Sequence, residues 1–227
     1  MNLTSLIPGV GEANEHIATF AIVSTGVLLA GFVAKAQLSA QGDQAVLPDG
    51  KFSLRSIFEA ITEFIRNFVD MVIGEHGRKY TPMFAAIFTF IFFNNLMGIV
   101  PGMTPATEQL NTTLAMGTVM FFVYNYLGIK ENGWSYLKHF LGPFLPIAPL
   151  MLVIEIISHL VRPVSLGLRL ANVMTGDHTV VGIFTDLVPL IAPIPFYILG
   201  LFVCFVQAFV FTLLSMVYIA LATAHDH

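Results

Sequence analysis

Five long apolar segments set most of what this chain can fold into. They cover residues 17–34, 81–100, 112–128, 143–187 and 195–223, and all but the fourth contain no Lys, Arg, Asp or Glu. A helix of about 20 apolar residues matches the ~30 Å hydrocarbon core of a bilayer. Of the 227 residues, 56% are hydrophobic and 11% are charged. The sequence therefore predicts a single all-α domain that crosses a membrane several times, and it excludes a soluble domain.

The first segment has two interpretations. Ala34-Lys35-Ala36 imitates a signal-peptide cleavage site. However, no basic residue precedes the apolar run, and the run is long for a signal peptide. A retained transmembrane helix over residues 17–34 is the favoured interpretation.

Lysine and arginine are distributed unevenly around the apolar segments. Eight of the ten lie in the stretches after the first and third segments: Lys35, Lys51, Arg55, Arg66, Arg78, Lys79, Lys130 and Lys138. Because cytoplasmic loops are enriched in these residues, both stretches are expected in the cytoplasm. Residues 1–16 are then expected outside and the C-terminus inside, which places segments 81–100 and 112–128 as a transmembrane hairpin.

Residues 53–74 show a different pattern, with apolar and charged residues on opposite sides of a helix. The apolar side is Leu54, Ile57, Phe58, Ile61, Ile65, Phe68 and Val72, and the charged side is Arg55, Glu59, Arg66 and Asp70. We expect an amphipathic helix on the cytoplasmic surface. The alternative, a small soluble helical domain, is disfavoured because so short a segment cannot bury a core of its own.

The fourth segment is too long for a simple span. About 45 helical residues would reach nearly 70 Å, roughly twice the hydrocarbon thickness. The segment must be strongly tilted or broken, and Pro163 offers a site for a kink or for a division into two shorter helices.

Polar residues in this segment follow helical spacing. Glu155, Ser158, Arg162, Ser165, Arg169, Asn172 and Gly176 are separated by alternating steps of three and four residues and so form one stripe. Asp177 and His178 lie off the stripe, His178 about half a turn from Arg169. Arg169 is the costliest member, because its guanidinium stays charged and insertion of a charge near the bilayer centre costs at least ~2.5 kcal/mol. We therefore expect this residue to be functional, with polar cavities on two faces of the helix.

At these residues the chain resembles the a subunit of F-type ATP synthases, the stationary membrane partner of the rotating c-ring. The resemblance rests on Glu155, Ser158, residues 162–170, the Gly-Asp-His of residues 176–178 and residues 207–218. Residues 95–101 and 111–114 add weaker support. Their order and spacing cover most of the chain after Arg78.

The resemblance implies a fold with an N-terminal transmembrane helix, a surface helix, a hairpin and two long tilted helices packed against the c-ring. It implies that Arg169 is the essential arginine facing the c-ring carboxylate. Glu155 and Ser158 match positions near the cytoplasmic half-channel, and His178 and Gln207 match positions near the outer one. Ser165, Asn172, Asp177 and Asp186 are further half-channel candidates. The implied setting is a bacterial inner membrane with a b-subunit stator, and the implied ion is H⁺ rather than Na⁺.

Two departures from the family pattern change what can be carried over. The asparagine usually found four residues after the arginine is here three after it, as Asn172. The family often has a titratable group seven residues before the glutamine, where this chain has Gly200. Asp177 or Asp186 could substitute for that group, and His178 could be a proton relay or a structural hydrogen-bonding residue.

Other functional classes fit less well. A secondary ion-coupled transporter could also hold Arg and Glu in its core, but such folds commonly contain internal repeats, which are not evident here. A purely structural membrane subunit leaves the polar stripe without a purpose. No phosphate-binding loop, metal-ligand cluster or nucleophile–base set indicates an enzyme, a cofactor or a metal, and no nucleic-acid partner is expected. Cys204 is the single cysteine, which excludes a disulfide framework.

Overall fold

A computed structural model describes residues 15–40, 53–100, 103–133, 148–187 and 193–223. Within these ranges all regular structure is helical: α1 (Glu15–Ala40), α2 (Leu54–Val72), α3 (Thr81–Leu96), α4 (Leu110–Asn132), α5 (Ala148–Leu187) and α6 (Pro193–Thr223). Short 3₁₀ turns lie at Glu75–Tyr80, Met97–Ile99 and Ala106–Glu108. The predicted outer segment up to residue 14 and the predicted start of the fourth span at residues 143–147 lie outside the described residues.

Five stretches are long and apolar enough to cross a bilayer: Glu15–Leu38, Glu75–Ile99, Leu110–Asn132, Leu150–Leu187 and Ile194–Thr223. The prediction of an all-α, polytopic membrane protein is therefore confirmed. Helix α5 contains 40 residues and continues through Pro163, so the alternative of two shorter helices is wrong. At 1.5 Å per residue it is about 60 Å long, and it must be steeply tilted to remain in a ~30 Å apolar layer.

Helix α2 is amphipathic and packs its apolar side against the bundle. The side chains of Ile65 and Val69 are completely buried, and the hydroxyl of Ser53 accepts a hydrogen bond from the backbone N–H of Ser56 at the helix start. Arg55 departs from the expected pattern. Its side chain is only 3% exposed and pairs with Glu59 at 2.5 Å, so it belongs to the packed side instead of the charged outer side.

The turn Glu75–Tyr80 links three helices through charged groups. The Arg78 guanidinium bonds both carboxylate oxygens of Asp70 on α2, at 2.8 and 3.2 Å. The Lys79 ammonium and the Tyr80 hydroxyl both bond Glu131 near the end of α4, at 2.5 and 3.1 Å. The Arg78 guanidinium holds the pKa of the Asp70 carboxyl below its usual value. These bonds fix α2 and the two ends of the α3–α4 hairpin relative to one another.

Helices α4 and α5 approach so closely that only glycine fits between their backbones. A Cβ on Gly117 would lie 2.4 Å from the Pro163 carbonyl oxygen. A Cβ on Gly167 would lie 2.9 Å from the carbonyl oxygen of Thr113. Small residues allow this approach in membranes, where van der Waals contact between helices replaces the hydrophobic effect as the driving force. The contact fixes the position of α5, which carries most of the candidate site.

The core lies between α3, α4, α5 and α6. Its fully buried large side chains include Phe84, Ile91, Tyr124, Leu170 and Phe211. Asn95 adds a polar link, since its side-chain amide donates to the backbone oxygen of Cys204 on α6 at 3.4 Å. The core surrounds one side of α5 and leaves the opposite side open.

Candidate functional site

The open side of α5 carries Arg169 within an apolar surface. Arg169 is exposed, and no hydrogen bond or ion pair joins it to any residue in the described part of the chain. We call this surface the Arg169 face; its exposed apolar members are Ile154, Val161, Leu168, Val180 and Ile183. At about 100° per residue they lie within about 100° of Arg169 around α5 and border the polar stripe that contains it. An unpartnered guanidinium bordered by large apolar side chains requires a partner that is both apolar and acidic.

Arg162 and Glu155 form an ion pair at one end of the polar stripe. Arg162 lies 3.5 Å from the Glu155 carboxylate and sits over the Tyr218 ring of α6 at 5.4 Å. The hydroxyl of Ser165 donates to the backbone oxygen of Arg162 at 2.9 Å, whereas Ser158 is exposed. Arg162 thus pairs with an acidic neighbour two turns away on the same helix.

His159, beside this ion pair, is held in one tautomer by its neighbours. Its Nε2 lies 2.8 Å from Asn125 Oδ1, and the Asn125 amide nitrogen donates to the Phe121 backbone oxygen, which leaves Oδ1 as the acceptor. Its Nδ1 faces an Arg162 N–H at 3.5 Å and can only accept there. Both ring nitrogens are therefore satisfied in the neutral form, as expected for a structural histidine.

His178, on the far side of α5, meets two groups from the loop between α3 and α4. Its Nε2 lies 2.7 Å from the backbone oxygen of Gly98, and its Nδ1 lies 3.2 Å from Glu108 Oε2. Both side chains keep about a quarter of their surface exposed, 25% for His178 and 26% for Glu108. The fit is tight, since a Cβ on Gly98 would lie 2.9 Å from His178 Nε2. The histidine and the carboxylate are buried enough to interact strongly and remain open to water.

Asp177 points instead toward α6, where Gly200 leaves space for its carboxylate. A Cβ on Gly200 would lie only 2.8 Å from Asp177 Oδ2. The other candidate, Asp186, is exposed about two and a half turns further along α5 and has no polar partner among the described residues. Of the two carboxylates, Asp177 is the one that contacts α6 at the position where the side chain is missing.

The remaining candidates stand apart from these contacts. Gln207 on α6 is only 6% exposed, and Asn172 is exposed. Neither forms a hydrogen bond to a side chain or backbone group in the ranges that the structure describes. Within the same ranges no three His, Cys, Asp or Glu side chains are arranged to hold a metal ion.

Sequence reasoning missed Glu108, Gly98 and Asn125. Glu108 is a single acid in a loop, 70 residues before His178, and no spacing pattern connects the two. Gly98 contributes a backbone oxygen, which any residue type supplies. One signal was present in the sequence, at Gly200. Because the titratable group expected at this position is missing, a partner for His178 had to come from a different part of the chain.

Similarity to known proteins extends over the whole chain. The family model described as ATP synthase A chain matches residues 17–220. The ATP synthase subunit a of Bdellovibrio bacteriovorus is 62% identical over 227 residues, 100% of this chain and 99% of that protein. The subunit a of Sulfurihydrogenibium sp. is 46% identical over 172 residues, 76% of this chain and 83% of that protein. That of Citrifermentans bemidjiense is 42% identical over 207 residues, covering 91% and 89%.

Proposed function

The chain belongs to the ATP synthase A chain family, and from this membership we propose that it is the stationary, proton-translocating subunit of an F-type ATP synthase. In this role it catalyses no reaction itself. It provides two aqueous half-channels and the arginine that drives deprotonation of a c-ring carboxylate, which couples ion flow to rotation and ATP synthesis. Its protein partners are the c-ring and a b-subunit stator.

The observation that carries the proposal is the exposed, unpartnered Arg169 in an apolar surface. A c-ring presents an apolar cylinder with one carboxylate per subunit, and this combination matches the Arg169 face. The cost of exposing the guanidinium to lipid is removed when the rotor covers it. Leu168 and Val161 would then contact the rotor directly.

The fixed charge of Arg169 explains why the c-ring carboxylate releases its proton at this position. A permanent cation favours the ionised form of an arriving carboxylate, so the carboxylate loses its proton next to Arg169. Beyond the arginine the carboxylate would face lipid, where a bare charge is expensive, and it must first be reprotonated. The same cation repels protons that would otherwise pass directly between the half-channels. Each elementary charge crossing 100 mV supplies ~2.3 kcal/mol to the rotation.

Two groups of polar residues serve as the half-channels in this proposal. Glu155, Ser158 and Ser165 line the cytoplasmic one, on the same side of α5 as the Arg162 ion pair. Asp177, His178, Asn172, Gln207 and Asp186 belong to the outer one. Support comes from the order of the α5 members along the helix, with Arg169 between the two groups; Gln207 lies on α6.

The proposed orientation places residues 1–16 outside and the C-terminus in the cytoplasm of a bacterial inner membrane. The chain then forms one domain, with α2 on the cytoplasmic surface, α3 and α4 as the hairpin, and α5 and α6 as the helices against the rotor. Enrichment of Lys and Arg around α2 and after α4 supports this orientation. The proposed ion is H⁺.

A charge-removal experiment tests the role of Arg169. Complete complexes carrying Arg169→Ala in inverted membrane vesicles should hydrolyse ATP but lose ATP-driven acidification to background. The matched control is Arg66→Ala, which removes an exposed arginine of α2 and should pump normally. Normal acidification with Arg169→Ala would refute the proposal.

Cross-linking tests the rotor surface. Cys204 is the single cysteine of this chain and is buried, so Cys204→Ala gives a chain without cysteine. In that background Val161→Cys and Leu168→Cys should form disulfides with cysteines introduced near the c-ring carboxylate. Phe32→Cys, an exposed position on α1, should not. Equal cross-linking from all three positions would show that the Arg169 face is not the rotor contact.

A further inference from the structure

The contact between His178 and Glu108 requires one proton more than a neutral imidazole and an ionised carboxylate carry. The Gly98 backbone oxygen can only accept a hydrogen bond, so His178 Nε2, 2.7 Å away, must carry a hydrogen. In the neutral ring Nδ1 is then a lone pair, and it faces Glu108 Oε2 at 3.2 Å. Two acceptors at this distance repel each other. One proton must lie between them, on the ring nitrogen or on the carboxylate.

His159 gives an internal comparison in the same helix. It has the same Nε2–H tautomer, but its Nδ1 faces an arginine N–H donor. No proton is needed there, and none can be added without breaking the contact. The difference between the two histidines is therefore the group opposite Nδ1, a donor for His159 and a carboxylate for His178.

The loop is built to hold Glu108 in this position. The Thr175 hydroxyl on α5 donates its single hydrogen to the Ala171 backbone oxygen at 2.9 Å, and the Glu108 backbone oxygen lies 3.5 Å from the same hydroxyl. Gly98 leaves no room for a side chain next to His178. The carbonyl of Gly98 lies just beyond the end of α3, where backbone oxygens lack helical partners and are free to accept from a histidine.

From this geometry we propose that Glu108 and His178 share one proton and act as a single relay unit at the outer half-channel. The inference rests on the proposed function and assigns Glu108 to it. The unit begins with one proton. A proton from outer water binds Oε1 of Glu108, and the proton shared between Oε2 and His178 Nδ1 then leaves to water, which carries it to the Asp177 carboxylate. Rotation of the Glu108 carboxyl brings the new proton to the position opposite Nδ1. One proton enters and one leaves, so the unit is unchanged after each transfer.

Other titratable groups near this unit are few among the described residues. Asp177, the next residue along α5, is the other charge that acts on His178. From α6, the packed group is Cys204, which lies within electrostatic reach of Asp177. Gly200 contributes no charge. The protonation state of His178 should therefore depend mainly on Glu108.

Nitrogen NMR of the complete complex tests the shared proton directly. With ¹⁵N-labelled histidine, the His178 signals are assigned as those missing in His178→Gln. We expect a protonated Nε2 and a proton-sharing Nδ1 in the wild type. In Glu108→Gln, Nδ1 should move to the shift of an unprotonated acceptor, while the His159 signals stay fixed. An unprotonated Nε2, or His178 signals unaffected by Glu108→Gln, would overturn the proposal.

Transport measurements test whether the unit carries protons. In proteoliposomes making ATP at constant driving force, Glu108→Gln should lower the rate about tenfold, a modest share of what a positioned proton-transfer group contributes. It should also alter the dependence of the rate on outer pH. The double variant Glu108→Gln/His178→Gln should be no slower than His178→Gln alone, since both remove the same unit. The control Glu63→Gln, an exposed position on α2, should behave as wild type.

The two proposals fail in different ways. Normal pumping by Arg169→Ala would overturn the proposed function itself. Loss of pumping in Arg169→Ala together with a wild-type rate and pH profile in Glu108→Gln would overturn the relay unit alone. Additive losses in the double variant would likewise show that the two residues act separately. Because glutamine has nearly the same shape as glutamate and Glu108 is partly exposed, the substitution should not prevent folding.

Discussion

Replacing Gly117 with alanine should force α4 away from α5. The new methyl carbon would lie 2.4 Å from the Pro163 carbonyl oxygen, whereas carbon–oxygen contacts between helices are about 3.3–3.6 Å. The helices must therefore separate locally by about 1 Å. The obstacle is backbone, which cannot rotate out of the way as a side chain could.

The size of the effect follows from two opposing contributions. Overpacking a well-packed contact costs about 1–3 kcal/mol, and a backbone clash belongs at the upper end. Alanine is a better helix former than glycine by about 1 kcal/mol. The expected net destabilisation is about 2 kcal/mol, which for a protein of this size lowers the melting temperature by about 4–8 °C.

The assay is thermal dissociation of the purified complex, with Gly26→Ala as the matched control. A Cβ on Gly26 in α1 meets nothing within 4 Å, so the same substitution there should leave the transition unchanged or raise it slightly. Proton pumping by Gly117→Ala should also fall, because α5 carries Arg169. If Gly117→Ala melts at or above the temperature of Gly26→Ala, the close approach of α4 and α5 is wrong. Adding Gly167→Ala should cost less than it does alone, since both substitutions separate the same pair of helices.

Three further predictions concern other contacts. Gly200→Val should displace the Asp177 carboxylate and lower ATP synthesis about tenfold, with hydrolysis by the catalytic sector unchanged; an unaffected rate would remove Asp177 from the outer half-channel. The ion pair of Asp70 with Arg78 should stabilise the fold at pH values above the unfolded pKa of the Asp70 carboxyl, about 3.9. This contribution should be lost as the pH falls through the lower pKa of the same carboxyl in the folded state. Asp70→Asn should abolish that part of the acid sensitivity in thermal dissociation. Asn95→Leu should change the dissociation temperature little, because it removes a long 3.4 Å bond together with a buried amide oxygen that has no partner among the described residues. Asn95→Asp should lower the dissociation temperature clearly by burying a charge.

Much of the architecture was readable from local patterns. The predicted start of the second span at Thr81-Pro82 coincides with the first residues of α3, because proline is tolerated in the first turn of a helix. The apolar repeat of α2 identified Ile65 as buried, but Arg55 was assigned to the wrong side. A charged residue is buried only when a partner compensates it. The Arg55–Glu59 pair is an i,i+4 contact within α2, but the burial of Arg55 depends on how α2 packs against the bundle.

The candidate site divides in the same way. Glu155, Arg162 and Arg169 lie in one helix, so their common stripe and the Glu155–Arg162 pair follow from a period of 3.6 residues. The contacts of His178 come from a loop about 70–80 residues earlier in the chain. The sequence left Asp177 and Asp186 as alternatives for the group missing at Gly200, and the packing of α5 against α6 brings the Asp177 carboxylate to that position.

By itself, the sequence determined the class of this protein, the number of its long apolar segments and the helix that carries its most expensive charge. Those properties depend on segment length, charge and helical period, which are local quantities compared with a bilayer of known thickness. Only the tertiary structure decided that Arg169 lies open on an apolar face, that Asp177 fills the gap at Gly200 and that His178 meets Glu108. These facts depend on how closely and at what rotation distant helices pack, and that packing uses glycines at which a Cβ would lie less than 3 Å from the neighbouring helix.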